Sequence, residues 1–213
     1  LEDVQYFEDE LHAAVMAAED AGTYVMVHVY VPEAIRRAIR AGVKSIEHGQ
    51  LIDEPTMKLI AEKGVWLSMQ PFIGEGNNHY TNPVQQAKHE LVVQGTDRAY
   101  QLAKKYGVKL AWGTDLLFSP ANARNQNLNI EKMTRWFSNF EILKMITHDN
   151  AELLALSARR NPYPGKLGVI EEGALADLIV VDGNALEDIK VLTDPGKNML
   201  LIMKDGKIYK NDL

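Results

Sequence analysis

The sequence predicts an α/β protein built on parallel strands, followed by a small β-rich module. Three observations carry that expectation. Amphipathic stretches with helical spacing alternate with short β-branched runs as far as about Ser157. A glycine marks each helix-to-strand junction in nearly the same way, at Ala21-Gly22, Ala41-Gly42, Lys63-Gly64 and Tyr106-Gly107. After Asn161-Pro162-Tyr163-Pro164-Gly165 the texture changes to apolar, β-rich runs. Strands that alternate with helices imply βα units and a parallel arrangement. The unequal intervals between junctions argue against a solenoid.

Residues 4–21 read as a helix and Thr23–His28 as a strand. Pro32 sits in the first turn of a helix over 32–41, where a missing N–H costs nothing, and Gly42 ends it. Val43–Glu47 is the next strand. Asp53 is a natural N-cap for a helix that runs to Lys63 and closes at Gly64. Val65–Met69 is the third strand, Gln85–Tyr106 a long helix, and Val108–Trp112 the fourth strand. Phe140–Ile146 and Asn150–Leu156 are expected as two short helices. In the tail, Ala176–Val181, Leu200–Met203 and Lys207–Tyr209 read as strands, with a turn at Asp205-Gly206. The Pro- and Gly-rich stretch places a domain boundary between 1–164 and 165–213.

Composition narrows the function. The 213 residues are 46% hydrophobic, enough for one large core or two small domains. The net charge is -6 and the basic residues are scattered, so no basic face awaits nucleic acid. No apolar run reaches the roughly 18 residues that a membrane-spanning helix needs. There are no cysteines, which removes disulfides, thiolate metal sites and cysteine nucleophiles. Leu1 is not Met, and the chain opens close to a helix, so no leader can be read and the compartment stays open.

The chemistry gathers at strand ends. His28 closes Tyr24-Val25-Met26-Val27-His28, His48 closes Ser45-Ile46-Glu47-His48, and Asp115 follows Leu110-Ala111-Trp112-Gly113-Thr114. In a parallel barrel the C-terminal strand ends converge on one face, where active sites form. Two imidazoles and a carboxylate there suit a divalent ion: zinc first, then manganese, iron or cobalt. A single strand-end histidine is more often a hydrogen-bonded core residue, but three in phase on successive strands favour a site.

These motifs resemble the amidohydrolase superfamily in order and spacing. They are Val27-His28-Val29-Tyr30 with Pro32-Glu33-Ala34-Ile35, Gly42-Val43-Lys44-Ser45-Ile46-Glu47-His48-Gly49, and Gly113-Thr114-Asp115. The tail, Gly165-Lys166-Leu167-Gly168 through Gly173-Ala174-Leu175-Ala176-Asp177-Leu178-Ile179-Val180-Val181-Asp182, looks like the segment that returns to the β-sandwich of these enzymes. The likeness is strongest to the imidazolonepropionase-like and prolidase-like branch, with its Xaa-Pro dipeptidases and carboxypeptidases for basic residues. It implies the C-terminal half of a (β/α)8 TIM barrel, strands five to eight, plus part of a small β-sandwich. It implies metal ligation by His28, His48 and Asp115, with Asp115 also taking a proton from the attacking water. Tyr30, two residues past His28 and so on the same side of an extended strand, is expected to bind a substrate carboxylate. The plainer expectation for Tyr30 is a packed aromatic.

The family pattern also has a His-x-His pair on strand one and a carboxylated lysine on strand four. The chain contains no His-x-His. It is therefore expected to be a fragment of a metallohydrolase of C–N bonds that holds one or two ions when complete and acts on a small peptide or amide. Its partner would be a complementary N-terminal chain or a second copy. The alternative is an inert module that assembles through its exposed barrel edge.

Other candidates carry less. His79 and His89 flank the long loop Phe72–Val84, which could serve as a lid, with His79 read as a solvated loop residue. His12 and His89 read as exposed helix positions, and His148 as a local cap. Glu47 precedes His48 and is expected to point the opposite way, outside the barrel. Met16, Met26 and Met57 read as core filling.

Overall fold

The helices of the first half all end by one device. The computed structural model describes residues 1, 3–74, 80–116 and 123–213. In it, α1 (Glu8–Asp20), α2 (Pro32–Ala41), α3 (Glu54–Lys63) and α4 (Pro83–Tyr106) each lead to a glycine with φ between 62° and 100°. The following residue donates its N–H to the carbonyl five positions back: Thr23 to Ala18, Val43 to Ala38, Val65 to Ile60 and Val108 to Ala103, at 2.9–3.1 Å. These bonds satisfy carbonyls that a helix end leaves unpaired, and glycine adopts the required left-handed turn without a Cβ penalty. The strands are shorter than the sequence predicts for the same reason. The first residues of each β-branched run serve to close the helix, and the ladder begins only at β1 (Met26–Val29), β2 (Ser45–His48), β3 (Trp66–Met69) and β4 (Leu110–Trp112).

Helix starts are equally specific. Asp53 caps α3, its Oδ1 accepting the Thr56 N–H at 2.9 Å. Asn82 caps α4, accepting from Val84 N at 2.9 Å and Gln85 N at 3.3 Å. The first helix begins four residues later than expected, because the Glu10 carboxylate takes the Phe7 N–H at 2.8 Å and fixes the start there.

The four strands form one parallel sheet in the order β1-β2-β3-β4, with β1 and β4 as its edges among the described residues. Val27, Ile46, Leu67 and Leu110 stand in register on one face. A Cβ built at Gly49 would lie within 4.0 Å of Ile46, Leu67 and Ile35, which places α2 against that face. Met26, His28, Ser45, Glu47, Trp66 and Ser68 occupy the other. The core is Ile35, Ile46, Ile52, Met57, Ile60, Leu67 and Tyr100, all fully buried. Each such side chain contributes on the order of 1.5–3 kcal/mol. Met57 fills this core as expected, but Met16 and Met26 are 54% and 51% exposed, Met26 because β1 is an edge strand.

These residues belong to a first unit, Leu1–Gly113, which also includes Leu156–Arg160. That short return matters to α1. Arg159 Nη2 donates to the Asp20 carbonyl at 3.2 Å and Arg160 Nε to that of Ala21 at 3.0 Å. The last turn of α1 has no basic residue of its own, so the two guanidiniums supply the positive charge that a helix C-terminus favours.

The second unit is Thr114–Ala155 with Asn161–Leu213. Among the described residues its α-helices are α5 (Leu128–Lys132), α6 (Asn139–Lys144), α7 (Asn150–Ala155) and a single turn, α8 (Pro195–Asn198). The sequence separates α6 from α7, but a π-helical turn over Met145–Asp149 joins them into one run. Ser138 and Glu141 begin that run with a reciprocal cap at 3.3 and 2.7 Å. An antiparallel sheet follows, β5 (Leu178–Val181), β6 (Met199–Lys204) and β7 (Lys207–Asn211), in that order. Asp205 and Gly206 have φ of 49° and 73°, the double left-handed turn that suits strand twist. Met133, Ile142, Ile189, Leu192, Met199 and Leu201 make this unit's core. The sequence pattern gave no sign of α5. The mixed α/β class stands as predicted.

Candidate active site

His28 and His48 lie on adjacent parallel strands at their C-terminal ends. Their ring centroids are 4.4 Å apart, edge to face at 76°. The ladder alone does not explain this closeness. Val29 pairs with His48 and His28 with Glu47, so strict alternation would send the two imidazoles to opposite faces. His48 escapes alternation because its backbone is left-handed, with φ of 83°. For a residue with a Cβ that conformation costs about 1–2 kcal/mol. Such local strain collects at functional sites, where surrounding structure holds it. Tyr30 completes the cluster: its ring stacks on His48 at 4.7 Å and 20°, and meets His28 edge-on at 5.2 Å.

One expectation is corrected here. Glu47 does not point away from the histidines. It shares a face with its register partner His28, and its Oε1 accepts the Ser45 hydroxyl at 2.6 Å. The left-handed turn falls on His48, after the strand pleat has already set Glu47. Tyr24 lies two residues before the start of β1, and burial, with a further contribution from the Glu47 charge, pushes its hydroxyl pKa up.

Two residues that the sequence did not single out stand beside His48. Gln70, directly after β3, accepts from His48 Nδ1 through Oε1 at 2.7 Å. Gln50, two residues past His48, donates Nε2 to the same oxygen at 3.4 Å. Both glutamines are buried. The available signal was position alone: each follows a strand at the end that carries the histidines. An amide oxygen only accepts, so Nδ1 is the donor and Nε2 carries the lone pair in the neutral ring. Metal-bound imidazoles use this arrangement, in which the second nitrogen donates to a fixed acceptor. The donor set at His48 therefore fits a divalent ion.

Asp115 lies three residues beyond β4, in the second unit, exposed and with a left-handed φ of 52°. Among the described residues only four non-glycines have positive φ, and two of them are His48 and Asp115.

Of the remaining histidines, His79 and most of the glycine-rich centre of its loop fall outside the described residues. His89 is half-buried against the Tyr80 ring at 5.4 Å, and burial lowers its pKa against the opposing pull of Glu90. His12 is exposed, with Nδ1 3.4 Å from the Ala41 carbonyl. His148 pairs with Asp149 at 2.8 Å and lies 3.9 Å from Glu152. Donor atoms of these three lie within 4.8 Å of one another. Lys144 already bonds Asp149, so an ion there would have to displace an ammonium.

The description of the amidohydrolase family matches residues 2–209. Ochratoxinase of Aspergillus niger is 31% identical over 210 residues, 97% of this chain and 42% of that protein. The crystal structure of a prolidase complexed with N-methylphosphonate-L-proline superposes with a TM-score of 0.85 at 36% identity, covering 97% of this chain and 50% of the other. That of a Xaa-Pro dipeptidase with methionine in its active site gives 0.82 at 32%, covering 97% and 50%. The chain thus spans half or less of the length of the proteins it matches.

Proposed function

The chain belongs to the amidohydrolase family, and from that premise we propose that it carries half of the active site of a metal-dependent hydrolase of amide or peptide-like C–N bonds. The observation that carries the proposal is the pairing of His28 and His48 at the ends of adjacent strands, with the lone pair of His48 set on Nε2. Residues 1–164 would be strands five to eight of a (β/α)8 barrel, and 165–213 a piece of a β-sandwich. The prolidase and dipeptidase likenesses support a dipeptide or a carboxypeptidase-type substrate.

In this reading His28 and His48 hold a divalent ion, zinc by preference for two imidazoles and a carboxylate. When bound, such an ion brings the pKa of a coordinated water towards about 7 and polarises a carbonyl. Asp115 enters by its motif, Gly113-Thr114-Asp115. Its carboxylate would ligate the ion, take a proton from the attacking water and pass it to the leaving amine. The Tyr30 ring holds the His48 imidazole by stacking, and its hydroxyl would receive the substrate carboxylate. The remaining ligands would come from elsewhere in the whole protein, since no His-x-His pair occurs in these residues.

A second reading has its own observation. The parallel sheet has two edges, β1 and β4, among the described residues, and edge strands are templates for pairing. The chain would then act as an assembly module, joined by a complementary chain or a second copy.

Metal content and turnover separate the readings. The full protein, loaded with zinc and assayed on Xaa-Pro and other dipeptides, should lose more than about a hundredfold in kcat/KM in His28→Asn and His48→Asn. The 213-residue chain alone should show no enzymatic turnover. Undiminished activity in both variants would end the metal assignment, and bound metal absent from an active wild type would do so too.

A further inference from the structure

We infer that Gln70 is a positioning residue for His48. Its amide oxygen holds the imidazole in the tautomer with the proton on Nδ1 and the lone pair on Nε2, and Gln50 fixes which end of that amide meets the ring. The inference rests on the reading of His48 as a metal ligand.

The argument begins with what each atom can do. A neutral imidazole has one donor and one acceptor nitrogen, and either tautomer is open to it until a partner decides. Here the partner of Nδ1 is an oxygen that can only accept, at 2.7 Å. His48 and Gln70 are each 5% exposed and Gln50 is fully buried, so bulk water does not compete for these bonds. With Nδ1–H committed, the nitrogen able to bind a cation is Nε2.

A glutamine could reverse this by turning its amide over, which would bring NH2 to Nδ1 and favour the other tautomer. Gln50 opposes the reversal. Its Nε2 donates to the same Gln70 oxygen at 3.4 Å, so a turned amide would set NH2 against NH2. Gln50 keeps this orientation although its own Oε1 is buried with no hydrogen-bond partner among the described residues. The other end of the Gln70 amide lies towards Gly113, where an added Cβ would sit 3.9 Å from Nε2. His48, Gln70 and Gln50 thus form a chain of three, anchored at the end of β2, just after β3 and in the loop after β2.

The left-handed backbone of His48 brings the ring onto the His28 face, and the glutamine pair then selects which nitrogen it presents. A metal ligand needs both. Loss of such an outer partner typically lowers metal affinity about 10–100-fold.

The test uses the full protein with ring-15N histidine, metal-free, observed by long-range 1H–15N correlation, with the His48 signals identified from their loss in His48→Asn. In the wild type Nδ1 should be the protonated nitrogen and Nε2 the bare one. Gln70→Leu should release the tautomer to a mixture and weaken zinc binding about 10–100-fold in a competition titration with a chelating indicator. Gln70→Glu keeps an acceptor at the same place and should restore both readouts. A wild-type His48 protonated on Nε2 overturns the inference, and this spectrum decides even if Gln70→Leu fails to fold. Equal loss of zinc affinity in the Leu and Glu variants also overturns it, since a merely structural role would not separate them. An Nδ1–H tautomer in a wild type that binds no zinc supports the hold of Gln70 on the ring, and overturns the metal reading instead.

Discussion

Replacing Gly95 by alanine tests how closely α4 is seated on the loop that follows β2. Gly95 lies mid-helix, and a Cβ there would fall 2.2 Å from the Gln50 carbonyl oxygen, 3.0 Å from its carbon and 3.2 Å from Leu51 Cδ2. An unstrained carbon–oxygen contact is about 3.3–3.6 Å, so the helix and the loop must part by roughly 1 Å. Two effects oppose. In a helix interior alanine is favoured over glycine by about 0.8–1.0 kcal/mol. Overpacking a filled site costs about 1–3 kcal/mol, and the obstacle is backbone, which cannot rotate away. A backbone obstacle at 2.2 Å puts the cost in the upper part of that range, so the expected result is a net destabilisation of about 1–2 kcal/mol, read as a lower urea midpoint at unchanged slope. The displaced residue is Gln50, so the variant should also loosen the proton position on His48. A Gly95→Ala protein as stable as the wild type, or more so, would show that the loop yields freely and that the close approach carries no energy.

Asp53→Ala removes the N-cap of α3 and the 3.2 Å partner of Arg36, with an expected loss of about 1 kcal/mol at neutral pH. Burial raises the Asp53 pKa, but hydrogen bonds from Thr56 and Arg36 and the Arg36 charge outweigh it and hold the carboxyl below its ordinary 3.8. A folded pKa below the unfolded one gives stability that is complete above about 3.8 and is lost as pH falls through the folded value. The gap between variant and wild type should therefore close in acid, and a gap independent of pH would refute the assignment. Gly206→Ala should cost about 1–2 kcal/mol in denaturant melts, all of it from the left-handed backbone, because no atom lies within 4 Å of the added Cβ. At micromolar concentration the 213-residue chain is expected to sediment as a complex or a dimer that covers β1 and β4. A cooperatively folded monomer of 23.9 kDa would show that the sheet protects its own edges.

Local chemistry made much of the fold legible. Gly42, Gly64 and Gly107 mark helix ends because few residues other than glycine turn left-handed cheaply, and Asp53 marks a start because its carboxylate fits an unpaired N–H. The strand starts were misplaced because hydrophobic pattern cannot tell a residue that closes a helix from one that opens a ladder. Val43 and Val65 do the former. At the site, His28 and His48 were legible because each closes a strand, but the register that offsets them by one residue, and the left-handed turn that brings them together, were not. Gln70 and Gln50 could not, since a glutamine has no motif and acts only through the ring it touches. Glu47 was set on the wrong side because alternation assumes an unbroken pleat, and the break lies in one backbone angle at His48.

The arginines that finish α1 arrive late. Arg159 and Arg160 bond the end of a helix 139 residues earlier in the chain. At a synthesis rate of about 5–20 residues per second, α1 leaves the ribosome on the order of ten seconds before its own counter-charge exists. Throughout that interval the carbonyls of Asp20 and Ala21 have only water or a chaperone to meet. The start of α1 can be held early, by Arg37 and Arg40 of the next helix, but its last turn waits, and the closing of that turn reports that synthesis has reached Arg160.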